Sequence, residues 1–286
     1  MHVKNSYIYW IGIGVMTLLF AVVYFVLQKD TSLSYEAASP INPVEIVTEK
    51  TIPSSKDSSE VKEKFFGYST KGRSIYGYEI GTGKETVFLF GAIHGDEKNT
   101  ADLLNKFVEE IQANPKSISD SKKLVVIPIA NPDGYYERSD NLNENAVNLN
   151  RNFGTKEWKP YEQGEVSAGS EPFSEDESLA IRQAVESYKP EIMIAFHSQG
   201  ALVSPEEDDD SKALAKWYGE KTGYIYYDEW SYVGTATLWF WETFQKPAIT
   251  VELTDHIESD WEINKEALWA LVSSEDFPFK KDKAKL

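Results

Sequence analysis

Four apolar runs that alternate with helical patterns constrain the fold of this chain most. The runs are residues 86–93 (TVFLFGAI), 123–129 (KLVVIPI), 191–196 (EIMIAF) and 247–253 (PAITVEL). Apolar side chains at nearly every position, rather than at alternate ones, are typical of strands that are buried on both faces of a sheet. Helical patterns cover residues 100–113, 175–187, 212–222 and 261–273, and residues 76–80 and 224–227 favour shorter strands. The sequence therefore predicts a single α/β/α domain with a mixed, largely parallel central sheet.

Three residues of metal-ligating types lie where two of these predicted strands end. His94 follows the first run, Glu97 comes three residues later, and His197 closes the third run. The chain has no Cys and only four His, so a metal would have to be held by imidazole and carboxylate. Two His and one Glu form a common catalytic zinc set that leaves a fourth position open. From these residues alone, a surface turn and a hydrogen-bonded core histidine remain an alternative.

Six short segments occur in a fixed order along residues 72–271, and two of them contain the three residues just described. They are the His-x-x-Glu pair, Asn131-Pro132-Asp133-Gly134, Asn148-Leu149-Asn150-Arg151-Asn152-Phe153, Pro172-Phe173-Ser174-Glu175, His197-Ser198 and Ile249-Thr250-Val251-Glu252-Leu253. With these six segments the sequence resembles the zinc metallocarboxypeptidase family of the carboxypeptidase A type. Within it, the chain is similar to the bacterial γ-D-glutamyl-meso-diaminopimelate peptidases.

The resemblance implies a role for each matching residue around one zinc ion. His94, Glu97 and His197 would be the zinc ligands, and Glu252 would act as general base and then as general acid. The chemistry is consistent with these roles, because zinc acidifies water and polarises a carbonyl while a carboxylate can carry the proton to the leaving amine. A carboxylate at the rim of a strand end is the structural alternative for Glu252.

The resemblance also implies residues that contact the substrate. Arg138 would polarise the scissile carbonyl, Asn150 and Arg151 would hold the terminal carboxylate, and Tyr232 would correspond to the mobile tyrosine of the family. A guanidinium can bind a carboxylate with two parallel hydrogen bonds, which would favour substrates with a free carboxyl end. The structural alternatives are a salt bridge within a loop for Arg138, a loop brace for Arg151 and a packing aromatic for Tyr232.

The chain departs from the family pattern at two positions. Asn148 stands where most members have an Asp that accepts a hydrogen bond from a zinc-binding His, and Asn141 stands where relatives often carry an Arg. An amide oxygen can still accept that bond without the charge, so we expect zinc to be retained but bound less tightly. The Asn141 difference weakens the expected grip on the substrate carboxylate.

Two segments bear on which side chain the enzyme would accept. Residues 235–239 are expected to form the floor of the specificity pocket, and Ala236 and Thr237 supply no acidic group there. The acidic run at residues 205–210 (PEEDDD) follows the His197 strand. It either meets a cationic amine such as that of diaminopimelate or is a solvated loop.

The first 62 residues have a different composition from the rest. Residues 7–27 carry no charge and are long enough to cross a bilayer as a helix, with Lys4 before them and Lys29 after them. A cleaved signal peptide is the alternative. We expect residues 1–29 to be a membrane anchor, residues 30–62 a flexible linker, and residues 63–286 the catalytic domain on the outer side of a bacterial cell membrane.

These expectations leave three functions open. The first is a zinc peptidase that trims peptidoglycan stem peptides, the second is an extracellular carboxypeptidase on ordinary L-peptides, and the third is a wall-peptide-binding pseudoenzyme. Nucleic acid is excluded as a partner, because the net charge of −17 repels a phosphate backbone.

Overall fold

The computed structural model describes residues 60–162 and 166–283, all within one compact unit. The anchor expected at residues 1–29 and all but the last three residues of the expected linker lie outside this part of the chain. Among the described residues, no helix is both long and apolar enough to cross a membrane.

An eight-stranded sheet forms the centre of the domain. Its strands are β1 (Val61–Tyr68), β2 (Ser74–Ile80), β3 (Glu85–Phe90), β4 (Lys122–Ile127), β7 (Ile192–Ser198), β8 (Leu202–Pro205), β9 (Ile225–Tyr226) and β10 (Ala248–Leu253). They lie in the order β1-β2-β4-β3-β7-β10-β8-β9, and a separate ribbon pairs β5 (Tyr161–Glu162) with β6 (Val166–Ser167). Every strand position of β7 is buried, as the unbroken apolar run predicted.

The four central strands of this sheet are parallel. β3 pairs in parallel with both β4 and β7, and β7 pairs in parallel with β10. The pairs β1–β2, β2–β4 and β8–β10 are antiparallel, so the sheet is mixed, as expected. Because parallel strands end at the same edge, the residues after β3, β7 and β10 are brought together.

Helices cover both faces of the sheet and complete the three layers. They are α1 (Lys98–Ala113), α2 (Pro132–Glu137), α3 (Asp176–Tyr188), α4 (Asp209–Thr222), α5 (Ala236–Phe244), α6 (Trp261–Ser273) and α7 (Pro278–Lys283), with 3₁₀ turns at Pro115–Ser117 and Leu149–Arg151. The helices α1, α4 and α6 bury apolar side chains against one face of the sheet, and α3 and α5 pack on the other.

The structure also contains elements that the sequence patterns did not predict. β1 begins at Val61, inside the segment expected to be linker, and the strand β8 and the helix α5 had no predicted counterpart. Two strands end earlier than predicted. β3 stops at Phe90, three residues before the end of its apolar run, and β4 stops at Ile127, two residues before the end of its run. The chain after Phe90 is free of strand pairing, which lets it turn toward the ends of the neighbouring strands.

Candidate active site

Two imidazoles converge on one carboxylate at the carboxyl edge of the parallel strands. Nδ1 of His94 lies 2.9 Å from Oε1 of Glu97, and Nδ1 of His197 lies 2.9 Å from Oε2 of the same residue. The ligand atoms of the three side chains all lie within 4.8 Å of one another. This donor set of two nitrogens and one carboxylate suits zinc and leaves room for a further ligand. His94, Glu97 and His197 can therefore hold the expected metal ion.

On each imidazole, Nε2 faces away from Glu97 and lies beside an asparagine side chain. Oδ1 of Asn148 accepts hydrogen bonds from His94 Nε2 (3.1 Å) and from the backbone N–H of Asn150 (2.9 Å). Because a backbone N–H can only donate, the amide oxygen of Asn148 must face the ring. The expectation that the amide oxygen of Asn148 accepts a hydrogen bond from a candidate zinc-binding His is confirmed. Nδ2 of Asn150 lies 3.3 Å from His197 Nε2.

The charges of the three ligating side chains depend on one another. Burial alone would raise the pKa of Glu97, but the two imidazoles outweigh burial and hold that pKa well below its usual range. Burial would lower the pKa of His94, and the carboxylate of Glu97 reverses this and raises it. Glu97 therefore stays ionised, which is the form of a carboxylate that ligates a metal ion.

Glu252 stands beside this cluster on the next strand. In the parallel pairing of β10 with β7, Glu252 is the partner of His197. Burial first, and then the negative charge of Glu97, raise the pKa of Glu252 to about 8. Gly200 faces the Glu252 side chain, and a Cβ at Gly200 would come within 3.2 Å of the Glu252 Cβ. Strand register therefore positions the carboxylate near the ligand cluster.

Arg151 and Tyr232 are brought together, and their substrate-binding roles stay predictions. The guanidinium carbon of Arg151 lies 4.4 Å from the centre of the Tyr232 ring, and Nη1 of Arg151 donates to the carbonyl of Asn150 (2.7 Å). Gly234 makes the approach of the two segments possible, because its φ is +73° and a Cβ would come within 2.2 Å of the Arg151 carbonyl oxygen. The amide of Asn150 is fixed too, since its Oδ1 accepts from the N–H of Ala236.

Arg138 follows α2 and forms a salt bridge with Asp140. Its Nε and Nη2 donate to the two carboxylate oxygens of Asp140, at 2.8 and 2.6 Å. The carbonyl of Asp140 in turn accepts from the N–H of Gly95, next to His94. None of the interactions described for Arg138 involves a ligand residue, and its role on the scissile carbonyl stays a prediction.

The family assignment rests on a match to the zinc carboxypeptidase family model over residues 54–228. This segment contains all three candidate ligands and exceeds half of the chain. The chain belongs to the zinc carboxypeptidase family. Tyr232 and Glu252 lie beyond the matched residues, so their assignment depends on the structure and on the earlier resemblance.

Individual relatives agree with this membership, and a solved structure shares the fold. Murein peptide amidase A of Vibrio campbellii is 28% identical over 190 residues, which are 62% of this chain and 72% of that protein. Bacteriocin BCN5 of Clostridium perfringens is 28% identical over 178 residues, and the match spans 56% of this chain and only 20% of the bacteriocin. The crystal structure of murein-tripeptide amidase MpaA from Escherichia coli O157 matches with a TM-score of 0.61 at 20% identity, over 78% of this chain and 98% of MpaA. The structural match shows a common fold.

The other segments that carried the resemblance hold the zinc carboxypeptidase site in place. The side chain of Asn131 accepts from Gly134 N and donates to the carbonyl of Ile93, which anchors the loop before His94. Asn152 donates to the Ala168 carbonyl and accepts from the N–H of Glu175. These polar side chains satisfy buried loop backbone, which is why they are positioning groups for the site.

One polar contact near the site was not foreseen. Ser198 Oγ lies 2.8 Å from Nδ1 of His256 and 3.0 Å from Oδ1 of Asn99. His256 is exposed, yet it supports the residue that follows the ligand His197. The only sequence signal for this contact was the scarcity of histidine.

Proposed function

We propose that this chain is a zinc-dependent peptidase that hydrolyses an amide bond next to a free carboxylate in peptidoglycan stem peptides. The observation that carries the proposal is the convergence of His94, Glu97 and His197 with Glu252 at one edge of the parallel sheet. When bound there, zinc supplies a Lewis acid for the carbonyl and lowers the pKa of water.

The residues of the chain would divide the remaining tasks. Glu252 takes a proton from the attacking water and delivers it to the leaving amine. Arg151, held in place by its stacking on Tyr232, binds the free carboxylate together with the amide of Asn150. Arg138 stabilises the developing charge on the carbonyl oxygen once its guanidinium exchanges Asp140 for the substrate.

The substrate class is supported by the relatives. Murein peptide amidase A of Vibrio campbellii shares 28% identity and is matched over 72% of its length. Its name refers to murein peptides, and we extend that substrate class to this chain. An exopeptidase of this type is consistent with the paired Arg151 and Asn150, because only a free carboxylate completes their contacts.

Product analysis tests the proposed function. The zinc-loaded chain is incubated with the tripeptide L-Ala-γ-D-Glu-diaminopimelate and, separately, with an L-peptide of similar size, and the products are identified by mass spectrometry. We expect release of diaminopimelate from the first peptide and little change in the second. Cleavage of only the L-peptide would favour an ordinary carboxypeptidase, and cleavage of neither would favour a peptide-binding pseudoenzyme.

We also propose that residues 7–27 hold the domain at the outer face of a bacterial cell membrane. The support is the uncharged stretch of 21 residues between Lys4 and Lys29. Digestion of intact spheroplasts with an added protease tests this. Loss of the catalytic domain from the membrane fraction is expected, and protection of the domain would contradict the orientation.

A further inference from the structure

Exposed aromatic rings are concentrated on one part of the surface, at β1, β2 and α2. In the described part of the chain, seven large hydrophobic side chains are exposed, and four of them are Phe65, Tyr68, Tyr76 and Tyr136. The ring centre of Phe65 lies 4.8 Å from that of Tyr68 and 5.9 Å from that of Tyr76, its partner in the pairing of β1 with β2. Exposed apolar surface that is grouped, rather than scattered singly, marks an interaction site.

A cavity of about 480 Å³, open to solvent, adjoins these rings. It is bounded by β2, by α1, by α2 and by the segment that follows β4, which contributes two prolines and an isoleucine. The polar residues that line it are Ser74, Tyr76, Tyr78, Asn105 and Tyr136. The three from β2 alternate along the strand, so their side chains lie on one face of the sheet. A cavity of this size is in the range that holds a small ligand or one unit of a polymer.

The polar groups of the cavity are neutral and have no partners within the protein. Within residues 60–162 and 166–283, none of these five side chains makes a hydrogen bond. No charged residue lines the cavity, although the chain carries a net charge of −17. The guanidinium carbon of Arg73 lies 5.8 Å from the centre of the Tyr136 ring, but its charge is paired with Asp133 and Glu137. The cavity therefore favours a neutral ligand that can both donate and accept hydrogen bonds.

A sugar unit has the properties that this cavity selects. The C–H groups on one face of a pyranose ring are apolar and can pack against an aromatic ring, while the hydroxyls at its edge donate and accept hydrogen bonds. A proline-rich peptide is another ligand that aromatic grooves bind. Proline has no N–H, however, so such a peptide would leave the acceptors of the cavity unmatched. The combination of exposed rings with free hydroxyl and amide groups therefore favours a carbohydrate.

The cavity and the candidate active site lie at the same edge of the sheet. Pro128 and Ile129, which line the cavity, follow β4, and β4 is parallel to β3, the strand that leads to His94. Parallel strands end at one edge, so the cavity begins where the metal ligands are also gathered. Tyr136 is two residues from Arg138, the residue expected to reach the scissile carbonyl. A polymer bound in the cavity would therefore hold its attached groups close to the zinc site.

We propose that the cavity between Tyr76 and Tyr136 is a second binding site, which takes an N-acetylhexosamine unit of the cell-wall glycan strand. The sugar class rests on the cavity alone, whereas the choice of this glycan rests on the proposed function, because stem peptides are attached to that strand. Binding of the glycan at the second site would raise the effective concentration of the attached peptide at the zinc site.

Titration of the zinc-loaded full chain with the tetrasaccharide of N-acetylglucosamine, followed by calorimetry, tests the proposal. Tyr76→Leu and Tyr136→Leu keep apolar volume but remove a flat ring, and each should weaken binding by about tenfold, the upper range for a stacked ring. The double variant should show no measurable binding. Ile225→Ala removes an exposed apolar side chain on β9, at the opposite edge of the sheet, and is the control. It should bind the tetrasaccharide as the wild type does.

The titration does not depend on cleavage, so it separates this proposal from the proposed function. Glu252→Gln should bind the tetrasaccharide as the wild type does. If no stem peptide is cleaved while binding still depends on Tyr76 and Tyr136, the proposed function fails and the sugar site stands. Absence of binding, equal binding by all variants, or equal affinity for a glucose tetrasaccharide would overturn the assignment. Tighter binding of a proline-rich peptide, or self-association that Tyr76→Leu abolishes, would assign the surface to a protein partner and also overturn it.

Discussion

Glu252 and His197 are direct partners in the parallel pairing of β10 with β7, so the carboxylate assigned to proton transfer stands one strand away from a metal ligand. The backbone hydrogen bonds of the sheet fix this relationship. A substitution that preserves the shape of Glu252 should therefore leave the strand pairing and the ligand cluster intact.

Glu252→Gln should lower kcat by about 10²- to 10⁴-fold, the usual contribution of a general acid–base residue. The reason is that an amide cannot accept the proton of the attacking water. Zinc content, measured by inductively coupled plasma mass spectrometry, should remain at one ion per chain. Glu109→Gln changes an exposed carboxylate on α1 and serves as the control. Full activity in Glu252→Gln would remove the residue from the mechanism.

The parts of this site that the sequence predicted are those that depend on long apolar strands. β3, β7 and β10 are buried, so their hydrophobic runs marked them within a few residues and placed His94, His197 and Glu252 at strand ends. β8 has only four residues, which is too short for its hydrophobic pattern to show a strand period, so the sequence did not predict it.

The sequence patterns did not predict the helix α5, for a different reason. Its sequence ATLWFWETF is apolar nearly all round, so no amphipathic period distinguishes it from a strand. The side chain of Thr235 accepts from the N–H of Leu238, and this N-cap residue was the available signal. The pairing of Arg138 with Asp140 depends on loop geometry that spacing does not specify.

Asn148→Asp should tighten zinc binding by about 10- to 100-fold, the effect typical of partners that hydrogen-bond a metal-ligating His. The new carboxylate can accept the same two hydrogen bonds, from His94 Nε2 and Asn150 N, and it adds a negative charge near the cation. The zinc dissociation constant is measured by competition with a chromogenic chelator. Asn114→Asp, at an exposed position after α1, controls for the change in net charge. Weaker or unchanged zinc binding in Asn148→Asp would contradict this account of the site.

Arg151→Lys should raise KM by about tenfold or more for a peptide with a free carboxyl end, with a smaller change in kcat. A lysine is a point charge that cannot form two parallel hydrogen bonds and cannot stack on Tyr232 in the same way. Steady-state kinetics on a peptide acid and on its C-terminal amide measure the effect, and the ratio between them should fall. Arg182→Lys, on the exposed surface of α3, is the matched control. If the ratio were preserved, Arg151 would not bind the substrate carboxylate.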